Sequence, residues 1–176
     1  EGLRCGEDVD FVWRLDQAGW TCRFEPASAV WHRPRGSLAG RLRQQVGYGS
    51  SAAPLALRHP QALAPYRSNG WTAGVWSVVA AGHPIAALVL ALGSAGALVP
   101  KLRGVPAEVS FTLALRGHLV AGRQLAVALR RAWWPIVAVG CLVSRRMRAV
   151  AFAAVLVDPA ATPTDLAYGW GVWRGM

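Results

Sequence analysis

The chain has 176 residues, 19 Lys+Arg against 9 Asp+Glu, a formal charge of +10 and 53% hydrophobic content. Charged residues make up 16%, well below the roughly one quarter usual for a soluble domain. Basicity joined to apolarity favours a membrane surface as partner and argues against nucleic acid, whose modules carry basic patches on well-charged folds.

Cys5, Cys22 and Cys141 are odd in number and widely spaced, with no Cys-x-x-Cys pair. Neither a zinc site nor a disulfide framework is indicated, and a reducing compartment is the simpler reading. The chain opens Glu1-Gly2-Leu3 without Met and stops at Met176, so both ends are expected to be truncation points.

Glu7, Asp8 and Asp10 crowd three acids into four positions of an otherwise basic chain. Asp8 or Asp10 can cap a helix running through Phe11, Val12, Leu15 and Ala18, with Gly19 as its stop. Carboxylates in a first helical turn are favoured by the helix dipole by roughly 0.3–1 kcal/mol each. Thr21 to Phe24 and Ala29 to Trp31 read as short strands parted by Glu25-Pro26, and His32 ends the second. A basic segment follows, Leu38 to Ser51, in which Gly47-Tyr48-Gly49-Ser50 argues against an uninterrupted helix. Arg58-His59-Pro60 and Pro65 have linker composition.

From Trp71 to Pro100 there is no Asp, Glu, Lys or Arg, a run longer than the ~20 residues that cross a bilayer core. Trp71 and Trp76 suit one interface and Lys101 and Arg103 the other, while Gly82-His83-Pro84 interrupts the run with a kink. Residues 107–131 read as a helix with Arg116, Arg123 and Arg130 at seven-residue spacing, better suited to an interface than to spanning. Two shorter apolar runs, Ala132 to Val143 and Ala149 to Val157, flank Arg145-Arg146-Met147-Arg148. A continuous helix with those arginines at mid-membrane would cost several kcal/mol, so a shallow hairpin is the alternative and the number of crossings stays open. Asp158 to Met176 closes the chain with Gly/Trp-rich sequence.

The acid cluster admits two readings. Carboxylates at a helix start are most often caps, yet one held there stays ionised near neutral pH and can deprotonate an attacking hydroxyl. His32 at a strand end is suited to ligating a divalent ion. Arg33, Arg35, Arg41 and Arg43 could neutralise a pyrophosphate leaving group. Base, metal ligand and arginines together describe sugar transfer from a nucleotide donor.

The order Glu7-Asp8-Val9-Asp10-Phe11-Val12-Trp13-Arg14-Leu15, then Ala18-Gly19-Trp20, then a strand and His32, resembles the second half of a family-2 glycosyltransferase domain. Arg41 to Pro60, Trp133-Trp134-Pro135 and Leu166 to Gly175 resemble, more narrowly, the glycosyltransferases of mycofactocin biosynthesis. The resemblance implies an α/β fragment at 1–70, the second half of a GT-A type nucleotide-sugar transferase domain. A mainly helical, membrane-associated region at 71–157 and a truncated segment at 158–176 complete that organisation. It implies an inverting transfer of a hexose, taken as glucose, from a donor such as UDP-glucose to a peptide-derived acceptor. Asp8 is then the base, Glu7 its support and His32 a ligand of Mg²⁺ or Mn²⁺, with Arg41, Arg43 and Tyr48 near the diphosphate or acceptor. Membrane lipid is the further partner, and a cell-membrane location with a cytoplasmic catalytic part follows. The resembling family carries its Asp-x-Asp motif upstream of the base, and no such motif precedes Glu7, so the chain alone is expected to be inactive. The competing reading is a non-catalytic membrane protein binding anionic lipid or a partner through its arginines.

Overall fold

The computed structural model describes residue 3, residues 5–31 and residues 36–176. Its helices, in chain order, are α1 (Glu7–Gln17), α2 (Leu38–Ser50), α3 (Ala52–Arg58), α4 (Gly70–Ala80), α5 (Pro84–Leu98), α6 (Ala107–Arg131), α7 (Trp134–Val143), α8 (Arg145–Val157) and α9 (Thr162–Gly175). No β-strand occurs among the described residues, which overturns the α/β expectation for the first seventy residues. Thr21 to Phe24 and Ala29 to Trp31 join no ladder and are linked by a turn in which the Ser28 amide donates to the Glu25 carbonyl. A strand exists only as part of a ladder, and an isolated two-stranded hairpin is marginal in water. Runs of four and three residues have too few cross-strand pairs to hold one another. Phe24 and Trp31 stay 88% and 95% exposed.

The chain divides into two compact units, residues 1–65 with 160–176, and residues 66–159. In the first, α1 begins after Gly6 and not at Asp8 or Asp10, so all three acids lie inside its first turn. It ends where expected: Gly19 donates to the Asp16 carbonyl and Trp20 to that of Leu15, the paired bonds of a Schellman stop. The helix α2 runs unbroken through Gly47 and Gly49, against the expectation of a break. Gly49 is consumed in packing. A Cβ on Gly49 would stand 1.9 Å from the Tyr168 carbonyl oxygen, and one on Gly171 would stand 2.1 Å from that of Val46. Glycines therefore let α2 and α9 cross backbone to backbone.

In the second unit Pro84 opens α5 after the break at Gly82-His83, and α5 folds back on α4. Val75 of α4 packs with Ala87 and Ala91 of α5, under Leu115 of α6. The charge-free run is thus two packed helices and not one bent rod. A 3₁₀ turn, Val99–Lys101, continues α5, and by length and composition Pro84–Lys101 is long and apolar enough to cross a membrane, with mean hydropathy 1.6. The fully buried side chains of α5 are small, Ala87, Ala91, Ser94 and Ala95, while Ile85, Leu88 and Val89 are exposed and Leu90 packs partly buried against the core. A polar chain ties three helices together. The Thr72 hydroxyl donates to His118 Nδ1 (2.9 Å), His118 Nε2 donates to Ser94 Oγ (2.7 Å), and Ser94 donates to the Ala91 carbonyl (2.8 Å). Every polar atom in that chain is satisfied, which a buried network requires. The expected arginine face of α6 is broken, because Arg130 is buried and donates to the Ala154 carbonyl.

Candidate functional site

The three acids of α1 are put to different uses. Glu7 and Asp8 are exposed, and Asp8 Oδ1 accepts from the Val9 backbone at 2.9 Å. Asp10 turns inward and is only 6% exposed. Its Oδ1 accepts from His59 Nε2 at 2.9 Å, and its Oδ2 meets Arg58 Nη1 at 3.3 Å and Arg14 Nε at 3.2 Å. His59, itself 3% exposed, is brought there by α3, whose last turn it closes before Pro60 stops the helix. Gln17 Nε2 donates to His59 Nδ1 at 3.0 Å, which leaves the Nε2 hydrogen for Asp10. The edge of Trp13 meets the imidazole at a centroid distance of 5.1 Å and 72°.

The hydrogen bond from His59 holds the Asp10 carboxyl below its ordinary value of 3.8; burial opposes the shift, and Arg58 and Arg14 add to it. A carboxylate whose value is lowered on folding contributes stability above its unfolded value and loses it as pH falls through the folded one. Unfolding by urea, followed from about pH 6 to about pH 3, is expected to show that loss in the native chain below 3.8. In Asp10→Asn the same acid limb is expected to be flatter. Equal slopes would remove Asp10 from the acid response.

A recess of 430 Å³ opens beside this cluster, lined by Gln17, His59, Pro60, Gln61 and Ala62. It lies at the far end of α1 from Glu7 and Asp8, about 15 Å along the axis for ten residues. The residues just ahead of α1 instead face α2 and α3: a Cβ on Gly6 would meet Ser51 and Leu55, and one on Gly47 would meet Cys5 Sγ. The acids at the start of α1 therefore sit toward the end of α2 that carries Tyr48. Tyr48 is exposed, with its hydroxyl 2.6 Å from Gln44 Nε2. Arg41 and Arg43 are exposed at the other end of α2, about two turns away. His32, the expected metal ligand, lies outside the described residues together with Arg33, Pro34 and Arg35. Among the described residues no group of three or more His, Cys, Asp or Glu side chains gathers as a metal site. The described residues therefore do not by themselves make a ligand set for a divalent ion.

His59 and Gln17 were not legible as site residues. Arg58-His59-Pro60 carries only a turn signal, and its partner Asp10 is 49 positions away. The one local hint was Asp10 and Arg14 at i,i+4 spacing, a pair that by itself contributes little at an exposed position.

Over its whole length the chain is 35% identical to pre-mycofactocin glycosyltransferase of Mycobacterium tuberculosis, strain CDC 1551 / Oshkosh, across 208 aligned residues. The protein of that name in strain H37Rv matches to the same extent. The chain spans 44% of the length of these relatives. No protein-family profile and no solved structure matches it. The narrower resemblance read from Arg41 to Pro60, Trp133-Trp134-Pro135 and Leu166 to Gly175 is thereby borne out.

Proposed function

We propose that this chain is part of a membrane-associated glycosyltransferase that moves glucose from a nucleotide donor such as UDP-glucose to a hydroxyl of a peptide-derived acceptor, pre-mycofactocin. The observation that carries the reading is similarity over every part of the chain to enzymes of that name. The geometry adds a division of labour on α1. Asp10 is saturated by His59, Arg58 and Arg14, so it braces the helix and is a poor candidate for taking up a proton. Asp8 faces solvent in the first turn, unclaimed by any other described side chain, and it is the group assigned as base in an inverting displacement. Glu7 supports it, and Tyr48 on α2 faces the acceptor or diphosphate.

Association with a bilayer is supported by the size sorting of α5. Small residues inside and Ile, Leu and Val outside reverse the usual pattern of a soluble helix and match helix packing in lipid, where close approach and interhelical hydrogen bonds hold helices together. The arginines around α6 and α8 suit a cytoplasmic face, which would place the catalytic part in the cytoplasm.

The test uses the intact protein in liposomes, with UDP-glucose and the peptide-derived acceptor. A product heavier by one hexose residue is the expected result. No transfer from any nucleotide hexose, by protein that has entered the liposomes, would remove the enzymatic reading.

A further inference from the structure

Between α4, α6 and α8 lies an apolar groove of 640 Å³, within the roughly 300–1,000 Å³ of ordinary ligand pockets. Its walls are fixed. Trp76 Nε1 donates to the His118 carbonyl at 2.9 Å, and its ring lies where a Cβ on Gly122 would stand, 2.0 Å away. On the opposite side Arg130 of α6 donates to the Ala154 carbonyl of α8. The lining is apolar, including Leu125, Leu129, Val150 and Val157, except for two charged residues, Arg123 of α6 and Arg146 of α8. Both arginines are exposed. Local acids do not neutralise the surface: from 66 to 159 the sequence has Glu108 and Asp158 against nine arginines and Lys101.

An apolar cleft with two cations calls for an amphiphile with an anionic head. A free phosphate would leave the apolar wall uncovered, and a neutral hydrocarbon would leave the guanidiniums without a counterion. Guanidinium forks match phosphate oxygens in geometry and charge. We propose that the groove holds one anionic phospholipid, with an acyl chain against Leu125, Leu129, Val150 and Val157 and its phosphate on Arg123 and Arg146. The proposal rests on the reading of residues 66–159 as membrane-associated.

The chain is reconstituted into nanodiscs of phosphatidylcholine containing a minority of phosphatidylglycerol. It is then released in mild detergent, and retained phospholipid is measured by native mass spectrometry. The native chain is expected to keep one phosphatidylglycerol in preference to phosphatidylcholine. Arg123→Gln with Arg146→Gln should reduce retention by roughly tenfold for each arginine, the scale of one charge-assisted hydrogen bond. Ala153→Phe fills the groove and should also expel the lipid with both arginines in place. Arg103→Gln with Arg116→Gln makes the same charge change elsewhere and should retain it. Equal retention by the groove variants and the native chain, equal loss in the Arg103/Arg116 control, or no preference over phosphatidylcholine would each overturn the proposal. Incorporation into nanodiscs with no retained lipid overturns the groove alone; failure to incorporate overturns the membrane reading with it.

Discussion

Gly49→Ala is expected to unseat α9 from α2, destabilising the first unit by about 3 kcal/mol. Two effects oppose one another at this position. Alanine is the better helix former by up to ~1 kcal/mol, because glycine loses more backbone freedom on folding. Against that stands a methyl carbon 1.9 Å from the Tyr168 carbonyl oxygen and 3.0 Å from the Val172 nitrogen. Both are backbone atoms in the middle of a helix, so neither can rotate away as a side-chain end would. The helices must part, and parting also uncovers Val172, now 6% exposed. The clash wins. Gly47→Ala is the matched control on the same helix. Its nearest neighbour would be Cys5 Sγ at 3.9 Å, an ordinary contact, so the propensity gain of roughly 0.5–1 kcal/mol is expected to survive. Urea midpoints for the two variants, with the rate of proteolysis at the C-terminal helix, should move in opposite directions. If Gly49→Ala is as stable as Gly47→Ala, α2 and α9 do not cross as described. Gly171→Ala meets the Val46 carbonyl oxygen at 2.1 Å and is expected to behave as Gly49→Ala does.

The same two glycines mark the limit of what could be read from sequence. Within a window of ten residues Gly47-Tyr48-Gly49 has the chemistry of a helix end. The reason it is not one lies about 120 positions further on, in Tyr168-Gly169-Trp170-Gly171, and no local rule connects the two. Signals complete within one or two turns were readable: the Gly19 stop, the Gly82-His83-Pro84 break, and the helix at 107–131. The two expected strands are absent for the converse reason. Their residue types are right, but pairing is a property of two chain segments, and among the described residues no ladder forms. The site divides in the same way. Glu7, Asp8 and Asp10 stood out by density alone, whereas which of them turns inward was decided by His59 arriving from α3. The Thr72, His118 and Ser94 chain was equally hidden, being assembled from three helices.

That sorting of acids leads to the largest expected effect on activity. Asp8→Asn in the intact protein should lower the rate of sugar transfer by roughly 10²–10⁴-fold, the usual scale of a lost general base. The substitution keeps the shape and the acceptor oxygen that meets the Val9 amide, so the first turn of α1 should hold. What disappears is the capacity to accept a proton from the attacking hydroxyl. Donor binding makes no use of that proton and should be unaltered in a titration with the nucleotide sugar. Asp10→Asn should show a different pattern. It weakens a brace held by His59 and Arg58, so any fall in transfer should come with reduced stability and acquire the altered acid response predicted above. Glu7→Gln, also exposed and one residue from the proposed base, should cost less than Asp8→Asn, because it changes the field around Asp8 without removing its carboxylate. Transfer undiminished in Asp8→Asn, with folding and donor binding intact, would take Asp8 out of the mechanism. The base would then have to be sought elsewhere, with Glu7 the first candidate on the same turn.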